Sequence, residues 1–158
     1  MKMTLIVVFG VISLLMLAMG VSEFYMQWRL LSGARPVQAT ITAAGVFEVR
    51  DLTGDDAGGI TSYIYEPRVK FTYELDGTSY EGTMMRPIKT PRNYPTAGHA
   101  ETELVAFPVG AKVQAFVSPN YPDKAYLIKE TSRAPVIYML IGVGVPLFIF
   151  ALIKVAKL

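Results

Sequence analysis

Hydrophobic positions follow one period at the two ends of the chain and another in the middle. From Met3 to Ser22 there are 20 residues without a charge. A helix of that length, at about 1.5 Å per residue, spans roughly 30 Å, the hydrocarbon thickness of a bilayer. The run also meets part of the description of a signal peptide, with Lys2 before it and Ala18-Met19-Gly20 as a small-x-small site. Its length, with no polar stretch before that site, favours the membrane helix. Glu23 to Leu30 is amphipathic, and Phe24, Tyr25 and Trp28 cluster as interfacial aromatic residues do. Ser32-Gly33 followed by Pro36 predicts the end of the helix, with Gly as its C-terminal cap. A second uncharged run of 20 residues, Ala134 to Ile153, has Pro135 in its first turn and Tyr138 as an interface residue. Gly142, Gly144 and Pro146 in its middle predict a hinge or a close helix contact, with Gly10 and Ser13 of the first run as partners.

Between the two runs the period is two. Val37, Ala39, Ile41 and Ala43 alternate with polar residues and predict a first strand that can continue to Val49. The clearest pattern lies from Arg68 to Leu75, where Val69, Phe71, Tyr73 and Leu75 face one way and Arg68, Lys70, Thr72 and Glu74 the other. Asp76-Gly77 follows, the pair best suited to a two-residue hairpin turn. Ile60 to Leu75 and Thr78 to about Ile88 therefore form a β-hairpin. Pro87, Pro91 and Pro95 then predict a long loop from Lys89 to Leu104, with one helical turn around Ala97 to Glu103. Lys112 to Val117 is a fourth strand, and Ala125 to Ile128 a fifth beyond the turn cluster Ser118 to Asp123. The expected fold is a mainly β membrane protein, in which a small antiparallel five-stranded barrel or sandwich, residues 36–129, lies between transmembrane helices at 3–32 and 134–154.

Composition narrows the chemistry. Hydrophobic residues make up 52% of the 158 residues, and there is no Cys, which excludes disulfides, thiolate metal sites and cysteine nucleophiles. All 13 acidic residues lie between Glu23 and Glu130, and the basic residues outside that segment are Arg133, just beyond it, and Lys2, Lys154 and Lys157 in the tails. Basic tails predict both termini in the cytoplasm and the β-domain outside, although Arg29, Arg35, Lys129 and Arg133 pull the other way. No basic stripe is interleaved with aromatic residues, so nucleic acid is not an expected partner. Neither apolar run holds an ionisable side chain, which disfavours a channel or transporter. The single His99, beside Glu101 and Glu103, reads as a surface histidine. Asp51, Asp55 and Asp56 lack the ligand spacing of a calcium loop and read as a solvated turn. No catalytic, metal or cofactor residues are assigned.

The stretch Tyr65-x-Pro67-x-Val69-x-Phe71-x-Tyr73, then Gly77-x-x-Tyr80-x-Gly82, Gly110-x-x-Val113 and Pro119-x-x-Pro122-x-x-Ala125-x-Leu127, resembles the bacterial domain-of-unknown-function family thirty-five ninety-two. The resemblance implies a small membrane-anchored β-domain and brings no reaction with it. Each motif residue also has a folding role: Gly77 and Gly110 for turns, Pro119 and Pro122 for a stiff turn, Tyr73 and Tyr80 as a cross-strand core pair, with Pro67 and Gly82 in the flanking strands. The expected function is a noncatalytic protein of the bacterial inner membrane whose β-domain binds another envelope protein, with Tyr63, Tyr65, Tyr94 and Tyr121 as contact residues and an oligomer as one arrangement. An immunity protein against a membrane- or periplasm-acting toxin, and an enzyme with a site assembled from distant carboxylates, are the alternatives.

Overall fold

Asp76 and Gly77 both take positive φ, 51° and 79°, as a type I′ hairpin turn requires. The strands they join, β2 (Tyr63–Leu75) and β3 (Thr78–Gly82), pair antiparallel from Leu75↔Thr78 to Phe71↔Gly82. The computed structural model describes residues 2–51, 63–88 and 91–155. The aspartates Asp55 and Asp56 of the rejected calcium loop lie outside them. The chain divides into two units, residues 1–29 with 131–158 and residues 30–130.

In the second unit, β1 (Arg35–Arg50), β4 (Lys112–Ser118) and β5 (Tyr121–Tyr126) complete one antiparallel sheet, in the order β3-β2-β1-β4-β5. Ala39, Ile41, Val69, Phe71, Tyr73, Ala115, Val117, Ala125 and Leu127 form its buried core, joined by Phe107. The short helix α2 (Ala97–Leu104) packs on β1 and β2 and buries Ala100.

The expected barrel or sandwich does not form: the sheet is open. β3 stops after five residues at Gly82, which lies so close under the Phe71 ring that a Cβ there would collide with it. The chain then leaves the edge and, among the described residues, bonds to β5 through Met84↔Tyr126, a parallel bridge, and to the chain just after β5 through Leu127 N–H to Met84 O and Ile128 N–H to Met85 O at 3.3 and 2.7 Å. One bridge and two hydrogen bonds do not make a ladder, so the two edges touch without closing. The hairpin's second strand is accordingly shorter than the sequence suggests. β5 begins earlier, because Pro119-Asn120 alone makes the turn and Tyr121 already pairs with Ser118.

β1 holds the largest departure. Its pairing with β2 shifts between Ile41 and Ala43, a β-bulge that inserts Thr42 and reverses which face each later residue occupies. Ala39 and Ile41 point into the core, but beyond the bulge Ala44 packs against it while Ala43 is exposed.

The first unit holds α1 (Lys2–Leu31) as far as Arg29, together with α3 (Ala134–Val155), two helices each long and apolar enough to cross a membrane and only 11% buried over its apolar window. Gly33, at φ 68°, follows the end of α1. The two helices approach at Gly142, where a Cβ would lie 2.9 Å from Ser13 O, and at Gly20, where it would lie 2.8 Å from Pro135 O. Ser13 is thus a contact residue as expected, whereas Gly10 and Gly144 have open space around them. Gln27 is buried and its Oε1 accepts the Ser132 N–H at 3.2 Å. Trp28 is exposed and stacks with Tyr25 at 6.3 Å, and Tyr138 is half-buried in α3.

Candidate interaction surface

Beyond the bulge, β1 and β2 continue as a two-stranded arm, Ala43–Arg50 against Tyr63–Lys70. The direction of its backbone groups follows from what borders it. Tyr65 exchanges both of its backbone hydrogen bonds with Tyr94, at 2.8 and 2.9 Å, so its N–H and C=O point away from β1. Opposite it, Glu48 makes a non-hydrogen-bonded pair, and by alternation so do Val46 (facing Pro67) and Ala44 (facing Val69). The backbone groups of Ala44, Val46 and Glu48 therefore point to the outer edge of β1. On that edge β4 pairs only as far as Thr40, and the loop before it reaches Ile41 through Gly110 and Ala111 at 2.8 and 3.0 Å. Past Ile41, no backbone partner lies on the outer edge at Ala44, Val46 or Glu48 among the described residues. An unpaired edge of this kind is a template for another strand.

The outer face of the arm carries Gly45, Phe47, Glu66 and Arg68. Phe47 is 49% exposed, and the Arg68 guanidinium lies over its ring at 4.7 Å. Arg68 is also held by both Glu66 oxygens, at 2.7 and 3.1 Å. A trough of about 420 Å³ runs beside them, floored by Ala43, Ala44 and Gly45 and bounded by Phe47, Arg68, Lys70 and Thr83.

A second cleft, of about 210 Å³, has the ion network of Arg86 as its wall. The Arg86 side chain is 10% exposed, pairs with Glu103 of α2 and bonds Glu130 through Nε at 2.7 Å. Glu130 also meets Arg92 at 3.4 Å, and Tyr94 O–H donates to Glu103 at 2.5 Å. The hydrogen bond from Arg86, helped by Arg92, holds the Glu130 carboxyl below its usual range. Burial first, then its hydrogen bond to Glu103, raises the Tyr94 hydroxyl. Each cation here already faces a carboxylate. The network therefore ties the segment after β3 to α2 and to the chain after β5.

The structure distributes the tyrosines singled out in the sequence. Tyr63 is 47% exposed on the arm, and Tyr65 beside it is half-buried. Tyr94 belongs to the ion network, and Tyr121 lies across the sheet under Lys124 Nζ at 5.7 Å. They do not form one patch. Among the motif residues, Tyr73 stacks on Tyr80 at 5.6 Å and donates its hydroxyl to Pro122 O at 2.6 Å. Pro67 is buried opposite Val46, Gly110 turns at φ 85° before bonding Ile41, and Pro119 is exposed in the β4–β5 turn. His99 is exposed and its Nδ1 lies 2.7 Å from Thr96 Oγ1. No group of three metal-ligating side chains occurs among the described residues. Sequence reading missed Gly45, Phe47, Arg86, Glu103 and Glu130. Only Phe47 left a signal, an aromatic residue late in a strand whose face the bulge reverses.

No curated protein matches the chain. A family model described as Domain of unknown function (DUF3592) matches residues 37–132, from the first strand of the sheet to just beyond its last. That span is more than half of the chain, and it contains the arm, the trough and the ion network: the protein belongs to the family Domain of unknown function (DUF3592).

Proposed function

We propose that this is a noncatalytic, membrane-anchored protein whose β-domain binds another polypeptide by adding a strand to the outer edge of β1. The unpaired backbone groups of Ala44, Val46 and Glu48, beside the half-exposed Phe47, carry the reading. Main-chain hydrogen bonds give such a partner its affinity, and side-chain pockets next to the edge give it selectivity. α1 and α3 serve as the anchor in a bacterial inner membrane. The reading of tails in the cytoplasm and the domain outside is supported by Lys2, Lys154 and Lys157 in tails that carry no acidic residue.

Two measurements test this. The chain has no native Cys, so single cysteines at Thr78→Cys and Lys157→Cys can be treated in intact cells with a membrane-impermeant maleimide. Labelling at 78 with protection at 157 is expected, and the reverse pattern overturns the orientation. For the binding reading, a photo-reactive benzoylphenylalanine replaces Phe47 in one variant and Thr78 in another. Protein adducts at 47 and none at 78 support the edge. Equal yields at the two positions, or none at 47, remove it.

A further inference from the structure

We infer that the strand received by this edge is the same edge of a second copy of the chain, antiparallel to the first about a two-fold axis at Val46. The inference rests on the reading of β1 as a binding edge and names its partner.

Gly45 is the first observation. It sits in the middle of the edge at an ordinary φ, since the positive-φ glycines among the described residues are Gly33, Gly77 and Gly110. A Cβ added there would find its nearest neighbour, the Phe47 ring, at 4.0 Å, which is ordinary contact. The fold of the single chain thus does not require glycine at this position, although glycine weakens a strand interior through backbone entropy and missing packing. A glycine inside a strand marks a bulge, a tight bend or close approach by another backbone, and the bulge of β1 falls earlier, at Thr42, with Ala43 and Ala44 back in register before Gly45. The trough of about 420 Å³ lies over it.

The second observation is how the register falls. The outward groups belong to Ala44, Val46 and Glu48, and a two-fold must match outward positions with outward positions. An axis at Val46 pairs Val46 with its copy and Ala44 with Glu48 twice, using all three. The intervening pairs are Gly45 with Phe47, again twice. Each copy then offers a half-exposed ring where the other offers a glycine floor, on the same outer face. No like charges stand opposite one another. An axis at Glu48 would set the two carboxylates face to face, which is unfavourable. The area covered by one short strand pair is small, so the pairing belongs to the membrane, where two-dimensional confinement raises the effective concentration.

The test uses the full chain in native membranes. In a hydrogen-bonded antiparallel pair the two Cα atoms at the axis stand about 5.5 Å apart, so Val46→Cys should yield a dimer with a short bismaleimide, while Thr78→Cys stays monomeric. Adding Gly45→Leu to Val46→Cys fills the floor, and adding Glu48→Pro removes an outward N–H that β2 does not use. Each should abolish the dimer, with an unchanged limited-proteolysis pattern confirming the fold. A dimer that survives both changes, or equal cross-linking at 78, overturns the inference. The photo-adducts at position 47 separate the two failures. Adducts only to a different protein defeat the second copy and leave the binding edge standing, whereas no adduct defeats both.

Discussion

The lower and upper halves of the β1–β2 ribbon share the same two strands and stay antiparallel on both sides of the bulge, yet they are different materials. In the lower half, β4 and β3 flank the pair, and Ile41, Phe71 and Tyr73 are at most 3% exposed. In the upper half, β4 is gone, Tyr94 alone borders the far edge at Tyr65, and Phe47 and Tyr63 are about half exposed. A strand's stability and its availability are thus set by its neighbours more than by its own sequence. The part of the sheet that lacks a neighbour is the part able to acquire one.

Truncating an aromatic residue in each half should separate the two most widely. Phe71→Ala is expected to destabilise the domain by about 3–5 kcal/mol, because a fully buried ring leaves a cavity. Phe47→Ala should cost only about 0.5–1 kcal/mol through its contact with Arg68. Denaturant melts of the full chain in detergent measure both; comparable losses would erase the distinction between halves.

Glu103→Gln probes what holds the segment bordering the arm. Removing one partner of the buried Arg86–Glu103 pair should cost about 3–5 kcal/mol and loosen Tyr94. The check is faster hydrogen exchange at the Tyr65 amide than at the Tyr73 amide. An unchanged Tyr65 amide would mean that the network does not fasten this border.

Proline sharpens the comparison, since it removes a single donor. By the same alternation, the Ala39 N–H points to β4, where Val113 is its partner. Ala39→Pro should therefore cost about 1–3 kcal/mol for the unsatisfied acceptor alone. Val46→Pro should leave the melting temperature of the monomer close to that of the parent, because its N–H faces the open edge. A large loss at position 46 would show that the edge is already paired.

The smallest effect is electrostatic. Because Arg86 lowers the Glu130 carboxyl in the folded state, its contribution is present above the ordinary glutamate pKa and fades as the pH falls through the lowered value. The side chain is 46% exposed, so solvent screening keeps the contribution small. Glu130→Gln should flatten the acid limb of stability against pH slightly, and it should not change the neutral-pH behaviour of the arm.

Local chemistry made much of this protein legible. The alternation from Arg68 to Leu75 and the Asp76-Gly77 turn determined the hairpin, because a two-residue turn admits few residues and a half-buried strand repeats every second one. The charge-free runs determined two long apolar helices, and the spacing of prolines, glycines and aromatics identified the family. What the tertiary structure alone decided depends on partners remote in sequence. The bulge at Thr42 carries Phe47 from the core-facing phase of Val37, Ala39 and Ile41 to the outer face, and a pattern of period two contains no mark of the inserted residue. Arg86, Glu103 and Glu130 look like unrelated surface charges until the fold brings them together. Whether the sheet closes turned on how far the chain after β3 runs beside β5, which is a single bridge at Met84 and Tyr126. The open edge of β1 has the same origin: strand sequences state which residues can pair, and chain topology decides which of them are left without a partner.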